Sequence, residues 1–302
     1  MSAMTLNYSV ILVHKGSEFY DYINDCILQI LKFNQSIIYI VSNDIHKNKV
    51  IKNAQVFFIS IESLARLGSH DTFEKNKIYN TSFRDGFNKS TTERFFIIEE
   101  VMTQLSLKNV FHIENDNLLY VNLDDLLKVF AAKYAFASVF DNDRRCVPSF
   151  VYIRDAKSIG DLNDFINNSP QTNDMDLLSR FRYSNAESIT LPILPSFYDK
   201  KLASQSGHTT NNPNQYFNNF ELFDSIFDAA CIGQYLGGVD PRNYPNNSVG
   251  FINETSLFNP SIFNYYFRDD SRGRKVPVLS FNKREVRINN LHIHSKNLRK
   301  FM

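Results

Sequence analysis

The chain has 302 residues, with 33 Lys and Arg against 32 Asp and Glu, and 43% of its residues are hydrophobic. This near-neutral globular composition disfavours disorder, a collagen-like chain and a polyanion-binding tail, so nucleic acid is not an expected partner. The three cysteines, an odd number without paired spacing, predict neither a disulfide framework nor a zinc site.

Targeting signals are also missing from the sequence pattern. Residues 1–15 contain no basic region followed by a long apolar stretch, so no signal peptide is predicted. No run of about 18 apolar residues occurs, so no transmembrane segment is predicted. Because the cysteines indicate a reducing compartment, a cytoplasmic location is expected.

Residues 8–113 alternate between predicted strands and helices. Apolar side chains at Tyr20, Ile23, Ile27, Ile30 and Leu31 have helical spacing between two short β-rich runs, which predicts a βαβ unit. Continuing this pattern, strands are predicted at residues 8–13, 36–41, 55–60 and 109–113, and helices at residues 17–33 and 91–107. Such alternation favours a parallel α/β sheet covered by helices.

The pattern becomes less regular after Asp125. Strands are predicted at residues 134–140 and 149–153, a short helix at 174–181 and a polar loop at 196–219. No internal repeat or long flexible linker separates the two parts. The predicted fold class is therefore α/β, a Rossmann-type mixed sheet flanked by helices in a single compact domain.

Two carboxylates follow the strand predicted at residues 109–113. Glu114 and Asp116 are separated by one residue, at a strand's carboxyl end, where α/β sheets bind ligands. Such a pair can hold a divalent cation and the phosphates that the cation carries. The alternative is a polar turn after an edge strand.

A second cluster lies near the end of the sequence, in residues 288–296. If this segment is a strand, its period of two places His292 and His294 together on the face opposite Leu291 and Ile293. One or both imidazoles could bind a metal, and Lys296 could add positive charge beside a leaving phosphate. The alternative is a half-buried strand with two solvated histidines.

A third feature covers residues 227–242. Asp228 can cap or begin a short helix that Gly237 and Gly238 end. Capping and close packing explain the small residues of this segment. They do not explain Gln234 and Asp240, for which simple exposure is the alternative.

Four segments together resemble GT-A-fold glycosyltransferases of the kind that builds polysaccharides and glycans. They are Glu114-Asn115-Asp116 and residues 173–176, 228–242 and 289–296, and the resemblance covers most of the chain. It implies a GT-A-like fold with a nucleotide-binding half over about residues 1–125 and an acceptor-binding, catalytic half over about residues 126–302.

The resemblance also implies roles for individual residues. Asp116 occupies the last position of the family's D-x-D motif, which holds Mn²⁺ or Mg²⁺ against the donor diphosphate, whereas Glu114 departs from that motif. The family's late histidine, a metal ligand, would be His292 or His294, and its basic partner for the diphosphate would be Lys296. Donor contacts are also implied for Glu114 and Asn115.

Two further donor-binding segments are implied by the same resemblance. The turn containing His14, Lys15 and Gly16 would receive the base and ribose of the nucleotide. Arg94 would lie on a helix that faces the donor pocket, bridging the donor to acidic neighbours. A surface salt bridge is the alternative for Arg94.

The function implied by the resemblance is metal-dependent transfer of a sugar from a nucleotide-diphosphate donor, expected to be a UDP-sugar, to a hydroxyl of a glycan or glycoconjugate. Asp228 would be the general base if the reaction inverts the anomeric centre. If it retains, Asp228 or Gln234 would position the donor sugar. The alternatives are a nucleotidyltransferase acting on sugar phosphates and a non-catalytic glycan-binding module.

Overall fold

A seven-stranded mixed sheet forms the centre of the fold. The computed structural model describes residues 7–77, 79, 84, 86–184, 188–204, 210–240, 242 and 249–302. The strands in chain order are β1 (Ser9–His14), β2 (Ile37–Ser42), β3 (Val56–Ser60), β4 (Val110–Ile113), β5 (Asn117–Leu119), β6 (Phe136–Asn142), β7 (Arg145–Ile153), β8 (Ser188–Thr190), β9 (Ser225–Ile226), β10 (Asn264–Asp269), β11 (Lys275–Phe281), β12 (Arg284–Ile288) and β13 (Asn290–His292).

The α-helices join and cover these strands. In chain order they are α1 (Asp21–Phe33), α2 (Gly68–Asn76), α3 (Phe87–Gln104), α4 (Leu123–Lys133), α5 (Ala156–Asn168), α6 (Asp174–Ser184), α7 (Phe220–Phe223) and α8 (Cys231–Gly237). α1 forms because Ile23, Ile27 and Ile30 recur at helical spacing, and all three are fully buried. Among the described residues, no helix has both the length and the apolar character that crossing a membrane requires.

The strand order of the large sheet is β3-β2-β1-β4-β7-β6-β8. β1 runs parallel to β2 and β4, and β2 runs parallel to β3. β7 is antiparallel to both β4 and β6, which makes the sheet mixed. The predicted α/β class with a mixed sheet and flanking helices is thereby confirmed.

Two smaller sheets complete the architecture. β10, β11, β12 and β9 form a four-stranded sheet, and β13 pairs with β5 in an antiparallel ribbon. In that ribbon His292 lies opposite Asn117, so the end of the chain meets the turn that follows β4. Residues 288–296 do not form one continuous strand, because β13 ends at His292 and a turn follows over residues 293–296, in which Lys296 has a left-handed φ of +64°.

Candidate functional site

A tight turn follows β4 and carries the acidic pair. The Glu114 amide donates to the Ser149 carbonyl, and the Asn117 amide donates to the Glu114 carbonyl, each at 3.0 Å. The side chain of Asn115 donates to the carbonyl of Val13 at 2.8 Å, which tethers the turn to the end of β1. The predicted donor-binding residue Asn115 thus fixes the position of the turn.

Buried amides hold the late histidine beside this turn. Asn290 Nδ2 donates to Asn117 Oδ1 at 3.0 Å, and the Ile293 amide donates to the Asp116 carbonyl at 2.9 Å. Buried amide groups are costly unless they are paired, so these bonds specify the register of the β5–β13 ribbon. That register places His292 next to Asp116.

Glu114, Asp116 and His292 form a compact cluster. His292 Nε2 lies 3.2 Å from Asp116 Oδ2 and 3.4 Å from Glu114 Oε2. One ligand atom from each residue falls within 4.8 Å of the others. His292 Nδ1 lies 2.8 Å from the carbonyl of Ala229, which can only accept, so Nδ1 is the donor and Nε2 faces the carboxylates.

The electrostatics of this cluster favour a positive charge at Nε2. Burial opposes charge on His292, but Asp116 and Glu114 outweigh it and raise its pKa to about 9. Burial likewise opposes charge on Asp116, but His292 and Lys296 hold its pKa well below the usual range. A bound divalent cation would likewise place positive charge between these carboxylates, and an imidazole whose Nδ1 is fixed by a carbonyl is a common metal ligand. The donor set of two carboxylates and one imidazole therefore fits a divalent cation.

Lys296 lies at the same carboxylate. Its ammonium donates to Asp116 Oδ2 and lies 5.8 Å from the centre of the Tyr22 ring. It also borders a groove of about 360 Å³ between α1 and the end of the chain. The other residues that line this groove include Tyr20, Tyr22, Asp25 and Arg299. Through Lys296 the groove adjoins Asp116.

Arg94 bridges two acids at the back of the site. One guanidinium nitrogen donates to Glu114 Oε1, and another donates to Asp174 Oδ2 at 2.5 Å. Because Arg94 is only 9% exposed, the surface salt-bridge alternative is wrong. Burial raises the pKa of Asp174 even though Arg94 favours its charged form. Asp174 was not among the predicted site residues, although its segment contributed to the family resemblance.

His294 lies outside the cluster. Its ring centre is 4.7 Å from that of His292, and in the described part of the chain its Nδ1 is buried without a hydrogen-bond partner. The condition for a shared strand face, a strand that continues through both histidines, is not met, because β13 ends at His292. Among the described residues, the candidate metal cluster at this turn contains His292 and not His294.

Asp228 joins the start of α8 to the backbone of His292. Its Oδ1 accepts from the Ile232 amide at 3.0 Å, and its Oδ2 accepts from the amides of Gly233 at 2.9 Å and His292 at 3.0 Å. Burial raises its pKa to about 6, although the His292 and helix amides lower it. Asp228 thus accepts hydrogen bonds from the first turn of α8, although the N-cap residue of that helix is Ala230, two positions after Asp228. The geometry does not favour a general base, because the residue is 2% exposed and both oxygens are occupied.

Gln234 is buried on α8 rather than exposed. Its Oε1 accepts from Asn253 Nδ2 at 3.1 Å. This contact joins α8 to the segment that follows residue 248. Direct contact between Gln234 and a donor sugar stays a prediction.

Replacing Asp228 with asparagine is expected to lower the free energy of unfolding by about 1–3 kcal/mol, because an NH₂ group replaces an oxygen that accepts a buried amide. Turnover per folded molecule should change little. Melting temperature and kcat are measured on the same preparation. A kcat that falls by about 10²–10⁴-fold with an unchanged melting temperature would restore the catalytic role.

Gly233 is required by the close approach of α8 to β13. A Cβ there would lie 2.1 Å from the His292 carbonyl oxygen and 2.6 Å from its carbon, whereas a Cβ at Gly68 meets nothing within 4 Å. Gly233→Ala is expected to cost about 3 kcal/mol or more of stability, the upper range for overpacking. Gly68→Ala is the matched control and should be neutral or stabilising by up to about 1 kcal/mol. Equal urea midpoints for the two variants would contradict the close approach.

The predicted nucleotide turn is held by neighbouring side chains. The Gly16 amide donates to Asn43 Oδ1 at 3.0 Å, and His46 Nε2 donates to the Gly16 carbonyl at 2.9 Å. His14 Nε2 donates to the Glu18 carbonyl at 2.6 Å. These bonds fix the backbone at the end of β1. Donor binding by His14 and Gly16 stays a prediction.

Lys15 is paired with a buried acid that the sequence pattern did not reveal. Its ammonium donates to both carboxylate oxygens of Glu93, at 2.5 and 2.6 Å. His70 lies on the other side of Glu93 at 3.3 Å and contacts Glu100 at 2.8 Å. Burial alone would raise the pKa of Glu93, but His70 and Lys15 lower it to about 2. The charge of Lys15 is therefore already compensated.

Glu93→Gln provides a pH-dependent test of this pairing. Because the Glu93 pKa is about 2 in the fold and 4.5 in the unfolded chain, its stabilisation is complete above about pH 4.5 and is lost as pH falls towards 2. That shift corresponds to about 3 kcal/mol. Urea unfolding should show that the stability difference between parent and variant shrinks by this order on acidification. Parallel pH profiles would contradict the pairing.

Comparisons with known proteins give limited similarity. No protein-family model matches the chain, and no curated protein matches its sequence. The fold is similar to apo mouse xyloside xylosyltransferase 1, at 9% identity and a TM-score of 0.41, covering 62% of this chain and 86% of that one. It is also similar to the galactosyltransferase LgtC in complex with donor and acceptor sugar analogues, at 10% identity and a TM-score of 0.45, covering 69% and 83% of the two chains.

A third similar structure is the glycosyltransferase GlyE of Streptococcus pneumoniae TIGR4. The identity is 14% and the TM-score 0.39, and the match covers 61% of this chain and 46% of that one. These three proteins are glycosyltransferases, the class that the sequence motifs resemble. At such identities and TM-scores the likeness by itself assigns neither a reaction nor a substrate to this chain.

Proposed function

We propose that this protein is a metal-dependent glycosyltransferase. It would move a sugar from a nucleotide-diphosphate donor, expected to be a UDP-sugar, to a hydroxyl of a glycan or glycoconjugate. Residues of about 1–125 would bind the nucleotide, and residues of about 126–302 would bind the acceptor and complete the site. A role in polysaccharide biosynthesis would follow from such an activity.

The observation that carries the proposal is the cluster of Glu114, Asp116 and His292 beside Lys296. These three residues would hold Mn²⁺ or Mg²⁺, since their ligand atoms lie within 4.8 Å of one another. When bound, the cation would stabilise the charge that develops on a leaving diphosphate, an effect of several kcal/mol. The Lys296 ammonium lies at the same carboxylate and supplies a second, fixed positive charge for the phosphates.

Arg94 and Asp174 orient the acidic pair in this proposal. Arg94 donates to both Glu114 and Asp174, so the Glu114 carboxylate is held towards His292 in the absence of any ligand. Such preorganisation limits the reorganisation that cation binding requires. The groove between α1 and Lys296 then provides room for the donor.

The alternatives differ in the product that they release. A nucleotidyltransferase acting on sugar phosphates would release pyrophosphate from a nucleoside triphosphate. Its usual glycine-rich phosphate loop is not evident in the sequence, where Gly16 is a single glycine after β1. A glycan-binding module would bind sugars and release neither product.

Release of nucleoside diphosphate from a panel of nucleotide-sugars tests the proposal. We expect slow hydrolysis of one donor in the presence of Mn²⁺ or Mg²⁺, and loss of this activity with excess EDTA. Matched reactions contain a nucleoside triphosphate and a sugar phosphate. Pyrophosphate release only in the reactions with nucleoside triphosphate and sugar phosphate would indicate a nucleotidyltransferase. Glycan binding without release of nucleoside diphosphate or pyrophosphate would indicate a glycan-binding module.

A further inference from the structure

One edge of the large sheet is rich in unpaired positive charge. The segment 44–54 carries Lys47, Lys49 and Lys52, all exposed, and one acid, Asp44. Within the part of the chain that the structure describes, none of the three lysines has a carboxylate within ion-pair distance. We call this segment together with β3 the basic edge, residues 44–60. Its free ammonium groups attract anions from solution.

An open groove lies between these lysines and β3. Its volume is about 560 Å³. Apolar and polar side chains share its lining. The apolar ones are Val50, Ile51, Ala54, Val56 and Phe58, and the polar ones are Lys47, Asn48, Lys52 and Asn53. The groove therefore combines apolar surface with cationic side chains.

Large apolar side chains also project from this edge. Ile45 is 69% exposed, Phe57 is 47% exposed and Ile37 is 41% exposed. The ring of Phe57 lies 6.1 Å from that of Tyr39, on its paired strand. Because β3 is the edge strand, Phe57 on one sheet face and the groove on the other both reach solvent. The basic edge thus combines exposed lysines with apolar surface on both faces of the edge strand.

The basic edge is connected directly to the candidate site. Asn24 of α1 donates to the Lys49 carbonyl at 2.9 Å and accepts from the Ile51 amide at 3.1 Å. The next residue, Asp25, lines the groove that reaches Lys296. The edge and the site groove therefore flank the same turn of α1.

We propose that the basic edge docks on the surface of a bilayer that contains anionic phospholipid. The lysines complement the charge of the lipid headgroups, and Ile45, Phe57 and the groove offer apolar surface to the interfacial region. A purely electrostatic partner such as nucleic acid would use the lysines but leave the apolar side chains exposed to water. This inference does not depend on the proposed sugar transfer.

Vesicle sedimentation tests the docking surface. The full chain is mixed with phosphatidylcholine vesicles or with vesicles that also contain phosphatidylglycerol, and we expect binding only to the second. Each lysine near an anionic surface contributes about 1 kcal/mol, so the triple variant Lys47→Gln, Lys49→Gln, Lys52→Gln should bind about 100-fold more weakly. High salt should weaken parent binding in the same direction.

Matched control variants show whether vesicle binding depends on residues of the basic edge or on the total charge and exposed apolar surface of the protein. Lys108, Lys128 and Lys133 are exposed lysines elsewhere, and their triple change to glutamine should leave binding within about twofold. Ile45→Gln with Phe57→Gln should also weaken binding, whereas Leu105→Gln with Leu222→Gln should not. Melting temperatures confirm that each variant is folded.

Three results would overturn the inference. The first is no binding of the parent chain to anionic vesicles. The second is an equal loss in the control lysine variant. The third is that the protein binds a single-stranded polynucleotide through the three lysines but does not bind vesicles. That result would make a polynucleotide, and not a bilayer, the partner of the basic edge.

Discussion

Replacing Asp116 with alanine is expected to abolish metal-dependent binding of a nucleotide diphosphate and to lower turnover by about 10³-fold or more, since a bound cation contributes several kcal/mol. Asp116 offers its carboxylate to His292 Nε2 and Lys296 at once, whereas Glu114 lies close to His292 but is held by Arg94. Calorimetry with UDP and Mn²⁺ measures the binding, and release of UDP from its sugar conjugate measures turnover.

The fold should survive this change. The backbone carbonyl of Asp116, which accepts from Ile293, is unaffected by truncation of the side chain. Asp164→Ala, at an exposed position on α5, is the matched control for removing one carboxylate. If the Asp116 variant binds UDP and Mn²⁺ as tightly as the parent does, the metal assignment is wrong.

The second large effect is expected at His292. His292→Ala should weaken Mn²⁺ binding by about 10²-fold or more, because loss of a ligand costs at least as much as loss of its outer-shell support. His294→Ala, two residues away, should change binding only a few-fold, since His294 lies outside the cluster. Calorimetric titration of each variant with Mn²⁺ measures the difference in affinity.

His294 is the internal control for this experiment because both variants remove one buried or half-buried imidazole from the same segment. Melting temperatures separate loss of a ligand from loss of the His292 contact to Ala229. Equal effects on Mn²⁺ affinity at the two positions would reject the assignment of His292, and a larger effect at His294 would reverse it.

In the first half of the chain, most helices and strands could be predicted from the local spacing of apolar residues. Residues 17–33 were expected to be helical and α1 occupies Asp21–Phe33, while the four early strands were placed within two residues of β1 to β4. The helix α5 was missed, although Ile159, Leu162 and Ile166 have helical spacing and Asp155 caps its start. The β10–β12 meander was also missed, because its outer strands β10 and β12 are partly exposed and rich in polar residues.

The candidate site was predictable where its signal was local. Glu114 and Asp116 follow β4 directly, so the strand end located them. The choice between His292 and His294 was not predictable, because pairing between β5 and β13 ends the strand at His292 and is set by contacts distant in sequence. The buried pairing of Lys15 with Glu93 has no sequence signal either, since tertiary packing decides which charges are buried.

A crystal structure with Mn²⁺ and UDP tests whether the cluster of Glu114, Asp116 and His292 binds the metal and the donor diphosphate. Anomalous scattering locates manganese independently of the surrounding protein. We expect one manganese peak in contact with Asp116 and His292, with the diphosphate of UDP bridging that ion and Lys296. A manganese peak elsewhere, or UDP bound without contact to this cluster, would contradict it.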